Sequence, residues 1–286
     1  MPLFLRSLPL SLGTLWHYVF VLPIVIVMSI PFIFLSLIPI IGVVISTGLT
    51  SFITVISYRC ALAAFGKGNE PDIVKLVKSS LALGFLNIFA SLMILIAAAG
   101  VAIALSWLGI GESTKLPGSE VFPLVPGAAF MIFVVLMFTY HASIAVPTTA
   151  LAHAATTHSG DPGLFFGFGV GFFSIMAAWL IWMAGMFLLG FYGVLTDAAT
   201  SGVQLAFGGL VDMPKTVIQP INPVALGVAI AFLLWGPCWY SATAVLAWDR
   251  AVQLREAARL QTVEVSRIAS DDLRALREAR MPKTGS

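Results

Sequence analysis

The sequence predicts an all-α, polytopic membrane helix bundle of about six transmembrane helices, continued by a charged cytoplasmic C-terminal helix. Three observations predict it. Of the 286 residues 59% are hydrophobic and only 10% charged, whereas soluble domains carry roughly 25% charged residues. The mean hydropathy is +1.00. The charges leave five uncharged runs, at 7–58, 79–111, 121–160, 162–196 and 216–248, each longer than the ~20 residues that cross a hydrocarbon core of ~30 Å. A water-soluble globule is excluded, and the first run has room for two crossings.

The elements follow in order. Met1 to Trp16 carries only Arg6 and no small-residue cleavage site, so the first span, 18–37, is read as uncleaved. Within Leu37-Ile-Pro39-Ile-Ile-Gly42 the proline disfavours helix in the residue before it, and the glycine tolerates unusual backbone angles. The chain turns there, because one helix across the whole run would be about twice the hydrocarbon thickness. Span 2 then covers 41–58, and the remaining spans are 81–109, 124–149, 167–195 and 224–247. Residues 1–248 form the transmembrane domain and 249–286 the tail.

The net charge of +2 says little, because in a membrane protein the side that the positive charges occupy matters. With the N-terminus inside, 13 of the 15 Lys and Arg residues fall on the cytoplasmic side and only Lys115 and Lys215 outside. The positive-inside rule therefore puts both termini in the cytoplasm of a bacterial-type inner (plasma) membrane. Trp16, Tyr18, Tyr58, Trp107, Trp239 and Trp248 fall near span ends and are expected as interfacial anchors.

Spans 2, 4 and 6 leave the membrane through similar segments: Cys60-Ala-Leu-Ala, Thr149-Ala-Leu-Ala and Ala244-Val-Leu-Ala. The first two lead through short polar loops to Pro71 and Pro162, suited to a first helical turn. Three repeated hairpins in parallel would produce this pattern; inverted repeats, the mark of many secondary transporters, are not visible. The segment 71–80 is an amphipathic lead-in to span 3, with Lys75 and Lys78 toward anionic headgroups or, alternatively, toward a soluble partner. The outer loop 196–222 is half apolar and reads as interfacial or re-entrant. From Asp249 to Arg280 the tail lacks Gly and Pro and holds Glu256–Arg259 and Asp271–Arg274 at helical spacing. Its apolar positions keep no strict heptad, so surface docking or fraying is expected rather than a coiled coil. Arg255 and Arg259 are its first candidate lipid or partner contacts.

Candidate chemistry is sparse. No Asp, Glu, Lys or Arg lies inside a predicted span, which argues against proton relays, ion-coupled carriers and voltage sensors. Zincin, P-loop and nucleophile-elbow motifs are absent, and the basic residues follow topology, so neither catalysis nor nucleic-acid binding is expected. Cys60 and Cys238 form no disulfide framework or metal-ligand spacing and read as small packing residues. His153, His158 and Asp161 share one loop, but a spacing of five does not put two imidazoles on one helix face, and no metal is expected. His141 in span 4, Asn87 in span 3 and Asn222 before Pro223 are candidates to line a polar path or to hydrogen-bond a neighbouring helix. Gly163, Gly167 and Gly171, with Gly169 between, resemble a small-residue ridge that packs span 5 closely against another helix, either internal or in a second copy.

The loop Ala64 to Pro71 leading into an amphipathic segment, and the final Tyr240-Ser-Ala-Thr-Ala-Val-Leu-Ala-Trp-Asp-Arg250, resemble a group of bacterial six-span membrane proteins. That group includes the membrane domain placed ahead of the catalytic part in some glycerophosphodiester phosphodiesterases. Only a short tail follows span 6, so the resemblance implies an integral envelope protein with no catalytic residue to carry over. The expected function is that of a non-enzymatic protein of membrane organisation or the membrane subunit of a larger assembly, with a protein partner on the tail; the alternative is a facilitator or exporter of a small apolar or lipid-like solute. Membrane lipids and a homo-oligomer are the other expected partners, and no cofactor is implied.

Overall fold

The computed structural model describes residues 2–35, 39–68, 72–107, 124–155, 166–207 and 222–280. Among them are seven helices: α1 (Leu3–Leu35), α2 (Pro39–Ala64), α3 (Ile73–Trp107), α4 (Leu124–Ala154), α5 (Phe172–Leu188), α6 (Phe191–Phe207) and α7 (Pro223–Arg280). Five of them, α1 to α4 and α7, are long and apolar enough to cross a membrane. The pair α5–α6 adds a sixth crossing if its two helices, bent by 68°, act as one span.

Among the described residues helix α7 is the hub, packing on α1, α2, α4, α5 and α6, while α3 leans on α2 and α4 alone. The packing follows the logic of a bundle in lipid, where apolar tails compete equally for large side chains and small residues let backbones approach. Ala142, Ala145, Ala150, Ala152, Ala244 and Ala247 are buried, while Phe85, Phe89, Ile96 and Trp107 on α3 face outward. The three similar exits converge: Ala61 and Leu62, Ala150 and Ala152, and Ala244 and Ala247 share one core cluster with Tyr58, Ile175 and Trp248.

Three expectations about span limits change. Helix α1 begins at Leu3, well before residue 18. Its Ser7, Ser11 and Thr14 are fully buried, on a polar stripe that meets α7. Trp239 Nε1 donates to the Phe4 carbonyl at 2.9 Å and to Ser7 Oγ at 3.1 Å, and Trp235 Nε1 donates to Ser11 Oγ at 2.9 Å. Ser7 and Thr243 hydroxyls share a further bond of 2.7 Å. Trp239 is thus a buried strut rather than an interfacial anchor. Span 5 does not run from 167 to 195: α5 starts at Phe172 and breaks after Leu188, where Gly190 takes φ +68°. The stretch expected as an outer loop is helical through Phe207, and 208–221 lie outside the described residues.

Helix ends at the basic end of the bundle are tied together. Gly66, at φ +77°, closes α2, with the Lys67 N–H donating to the Leu62 carbonyl at 2.9 Å. Arg59 donates to the Ala152 carbonyl at 3.1 Å, and the Asp72 N–H donates to that of Ala155 at 3.0 Å, so two orphan carbonyls at the end of α4 find partners. The Asp72 carboxylate in turn caps α3 by accepting from the Val74 N–H at 3.0 Å. Lys67 and Asp249 pair at 2.5 Å and join the loop after α2 to α7.

Candidate functional site

Between α2, α4, α5 and α7 lies a pocket of about 640 Å³. Its walls are apolar and aromatic, including Phe133, Phe138, Met176, Trp179 and Met183, and Thr54, Ser57, Tyr58, His141 and Tyr240 bring the polar groups. Among the described residues no Asp, Glu, Lys or Arg lines it.

Each wall is set by a local backbone decision. Gly236 on α7 leaves room for the Trp182 indole of α5: a Cβ at 236 would collide with that ring. Trp182 Nε1 donates to the Phe232 carbonyl at 3.0 Å, beside the Leu233 carbonyl that Pro237, lacking an N–H, leaves without its helical donor. In the opposite direction Phe232 sits over Gly185, whose Cβ would come within 2.8 Å of Cζ. The α5–α7 crossing is therefore two aromatic rings laid on two glycines. Phe138 and Trp179 close the α4–α5 wall with ring centroids 3.5 Å apart.

His141 contributes a defined tautomer. Its Nδ1 lies 2.7 Å from the Met137 carbonyl, and since a carbonyl only accepts, Nδ1 carries the proton. A neutral ring then keeps Nε2 as its acceptor. The His141 carbonyl accepts the Tyr240 hydroxyl at 2.7 Å, and the Tyr240 ring meets Tyr58 edge-on at 6.4 Å. The Thr54, Ser57 and Tyr240 hydroxyls donate to the Thr50, Thr54 and His141 carbonyls, so with the imidazole they offer acceptor atoms to an otherwise apolar guest.

The other sequence candidates are dispersed. Asn87 lies away from the pocket, in a relay across three helices: its Nδ2 donates to Ser51 Oγ at 3.1 Å and its Oδ1 accepts the Tyr140 hydroxyl at 3.0 Å. Asn222 lines no path with these two; it caps α7, its Oδ1 accepting from the Val224 N–H at 2.9 Å. Gly167 and Gly171 are not on a helical ridge, for φ is +68° and +73°, in the turns before α5. They still give close approach, because a Cβ at 167 would strike Val146 and one at 171 would strike Ala247. Gly163 lies outside the described residues, as do His158 and Asp161. Lys75 and Lys78 sit in the first turns of α3. Arg255 and Arg259 line a separate cavity with His153. Among the described residues no group of three or more His, Cys, Asp or Glu can hold a metal ion.

Sequence reasoning missed Trp182, Gly185 and Gly236. The isolated glycines on α5 and α7 were the available signal, and only their pairing with Phe232 and Trp182 gives them meaning. Comparison of the chain with protein families, curated proteins and solved structures finds no match. Several apolar helices of membrane-crossing length in an all-helical bundle make this a multi-pass membrane protein.

Proposed function

We propose that this protein is a facilitator of a small apolar or lipid-like solute in a bacterial-type inner membrane, acting without covalent chemistry, with its basic end and both termini in the cytoplasm. One observation carries the reading: the α2–α4–α5–α7 pocket of about 640 Å³ falls within the ~300–1,000 Å³ common to small-molecule sites. A pocket without Asp, Glu, Lys or Arg suits an uncharged guest, and the flexible Met176 and Met183 suit one of variable shape. The His141 Nε2 and the Tyr240 hydroxyl oxygen provide orientation by accepting from a hydroxyl of that guest, since their own protons are held by the Met137 and His141 carbonyls. The test is native mass spectrometry of the protein extracted in mild detergent, wild type beside Met183→Trp, which fills the pocket. Wild type should retain a small apolar species that the variant loses; equal retention by both would sink the proposal.

A second reading, the membrane subunit of a larger assembly, is favoured by α7, which continues past the bundle with Leu254, Leu260 and Val263 exposed. A stoichiometric partner lost on the double substitution Leu260→Glu, Val263→Glu would support it, and a partner retained by that variant would not.

A further inference from the structure

A second cavity, of about 570 Å³, opens at the basic end between the end of α4, the turn before α5 and the stretch of α7 that leaves the bundle. It shares no lining residue with the solute pocket. Among the described residues its floor is apolar, made by Ala150, Phe166, Trp248 and Val252, and its rim carries Arg255 and Arg259 with one acid, Glu256. The two arginines are four apart on one helix and therefore share a face. The Arg255 guanidinium lies 5.3 Å from the centre of the Phe166 ring, which positions it while its planar fork of N–H donors keeps its edge for an anion. His153 lies 4.7 Å from the Trp248 ring and the Lys67 ammonium 5.0 Å from it. Lys67 is paired with Asp249 and Arg59 donates to the Ala152 carbonyl, whereas Arg255 and Arg259 line the cavity itself.

We propose that this cavity binds the phosphate-bearing headgroup of an anionic phospholipid, with Arg255 and Arg259 on the phosphate and the glycerol and first acyl carbons against Trp248 and Phe166. The order of the chemistry along α7 is the argument for a lipid. The helix is apolar and buried through Ala247 and Trp248, and carries Arg255 and Arg259 about two and three turns farther on. That gradient matches the passage from acyl chain to headgroup at a membrane interface, where aromatic rings sit at headgroup depth and arginines collect anionic lipid. A soluble anion would use the rim and gain nothing from the floor. The assignment is independent of what the solute pocket holds, because selection by headgroup charge reads the rim alone.

The experiment is a native mass-spectrometric titration of the full-length protein in detergent with short-chain phosphatidylglycerol, with phosphatidylcholine of the same chain length, and with inorganic phosphate. Wild type should prefer phosphatidylglycerol to phosphatidylcholine by about tenfold, as expected for one to two arginines each contributing interfacial attraction. Arg255→Gln, Arg259→Gln together should remove that preference, and Arg274→Gln, Arg277→Gln, which removes equal charge farther along the tail, should retain it. No preference in wild type, a preference that survives Arg255→Gln, Arg259→Gln, or an equal loss in Arg274→Gln, Arg277→Gln overturns the proposal. Inorganic phosphate binding as tightly as the lipid overturns the lipid assignment as well.

Discussion

Gly236→Ala reads the α5–α7 crossing directly. On an open helix surface this change would stabilise by about 1 kcal/mol, because alanine loses less backbone freedom on becoming helical. At 236 the new methyl would occupy the space of the Trp182 indole, and the nearest atoms are the ring-fusion carbons and Nε1 of a rigid bicycle rather than a flexible end. Overpacking of a rigid neighbour costs about 1–3 kcal/mol. Displacing the ring also breaks the Trp182 bond to the Phe232 carbonyl, at about 1 kcal/mol. The helix-propensity gain offsets one of these, leaving a net destabilisation of about 1–3 kcal/mol. Gly227, on the same helix with no atom within 4 Å of an added Cβ, is the matched control. Denaturation by SDS in mixed micelles, followed by far-UV circular dichroism, should place Gly236→Ala below wild type and Gly227→Ala at or above it. Trp182→Leu in the Gly236→Ala background should recover most of the overpacking, a non-additivity expected of groups in contact. If Gly236→Ala matches Gly227→Ala, the crossing is not built as described and the pocket wall falls with it.

Three further outcomes are expected in the same assay. Gly171→Ala should cost about 2–4 kcal/mol, combining a left-handed backbone with the clash on Ala247, whereas Gly169→Ala, left-handed but with open space around it, should cost only about 1–2 kcal/mol. Tyr140→Phe should cost about 0.5–1.5 kcal/mol by removing the donor to Asn87 Oδ1, and it should cost much less in an Asn87→Leu background. Lys67→Met should cost no more than about 1 kcal/mol, because the Lys67 side chain is 38% exposed and that of Asp249 20%, and raising the ionic strength should shrink the difference from wild type.

The membrane class was legible in the sequence because it rests on exclusion of charge over long runs, a property that needs no knowledge of packing. The convergence of the Ala-Leu-Ala exits was legible as similarity but not as contact. Spacing failed where two geometries share it. Gly163, Gly167 and Gly171 repeat every four residues, as a helical ridge does, yet Gly167 and Gly171 lie in turns of positive φ that no linear pattern distinguishes. Trp16 and Trp239 were both expected as anchors, since composition sees two indoles near span ends; Trp16 is 65% exposed and Trp239 3%. What separates them is Ser7, on a helix more than two hundred residues earlier in the chain. The solute pocket was half visible: His141 was singled out for its chemistry, while Trp182 and Tyr240 acquire their roles only from the backbone carbonyls they reach on neighbouring helices.

Helix α7 forms part of the wall of both cavities, with Pro237 and Tyr240 at one and Trp248, Arg255 and Arg259 at the other. From Tyr240 to Arg255 the axis advances about 22 Å without an interruption in the helix. One continuous helix therefore sets the spacing of the two chambers, and a substitution that shifts α7 along its axis moves a wall of each by the same amount.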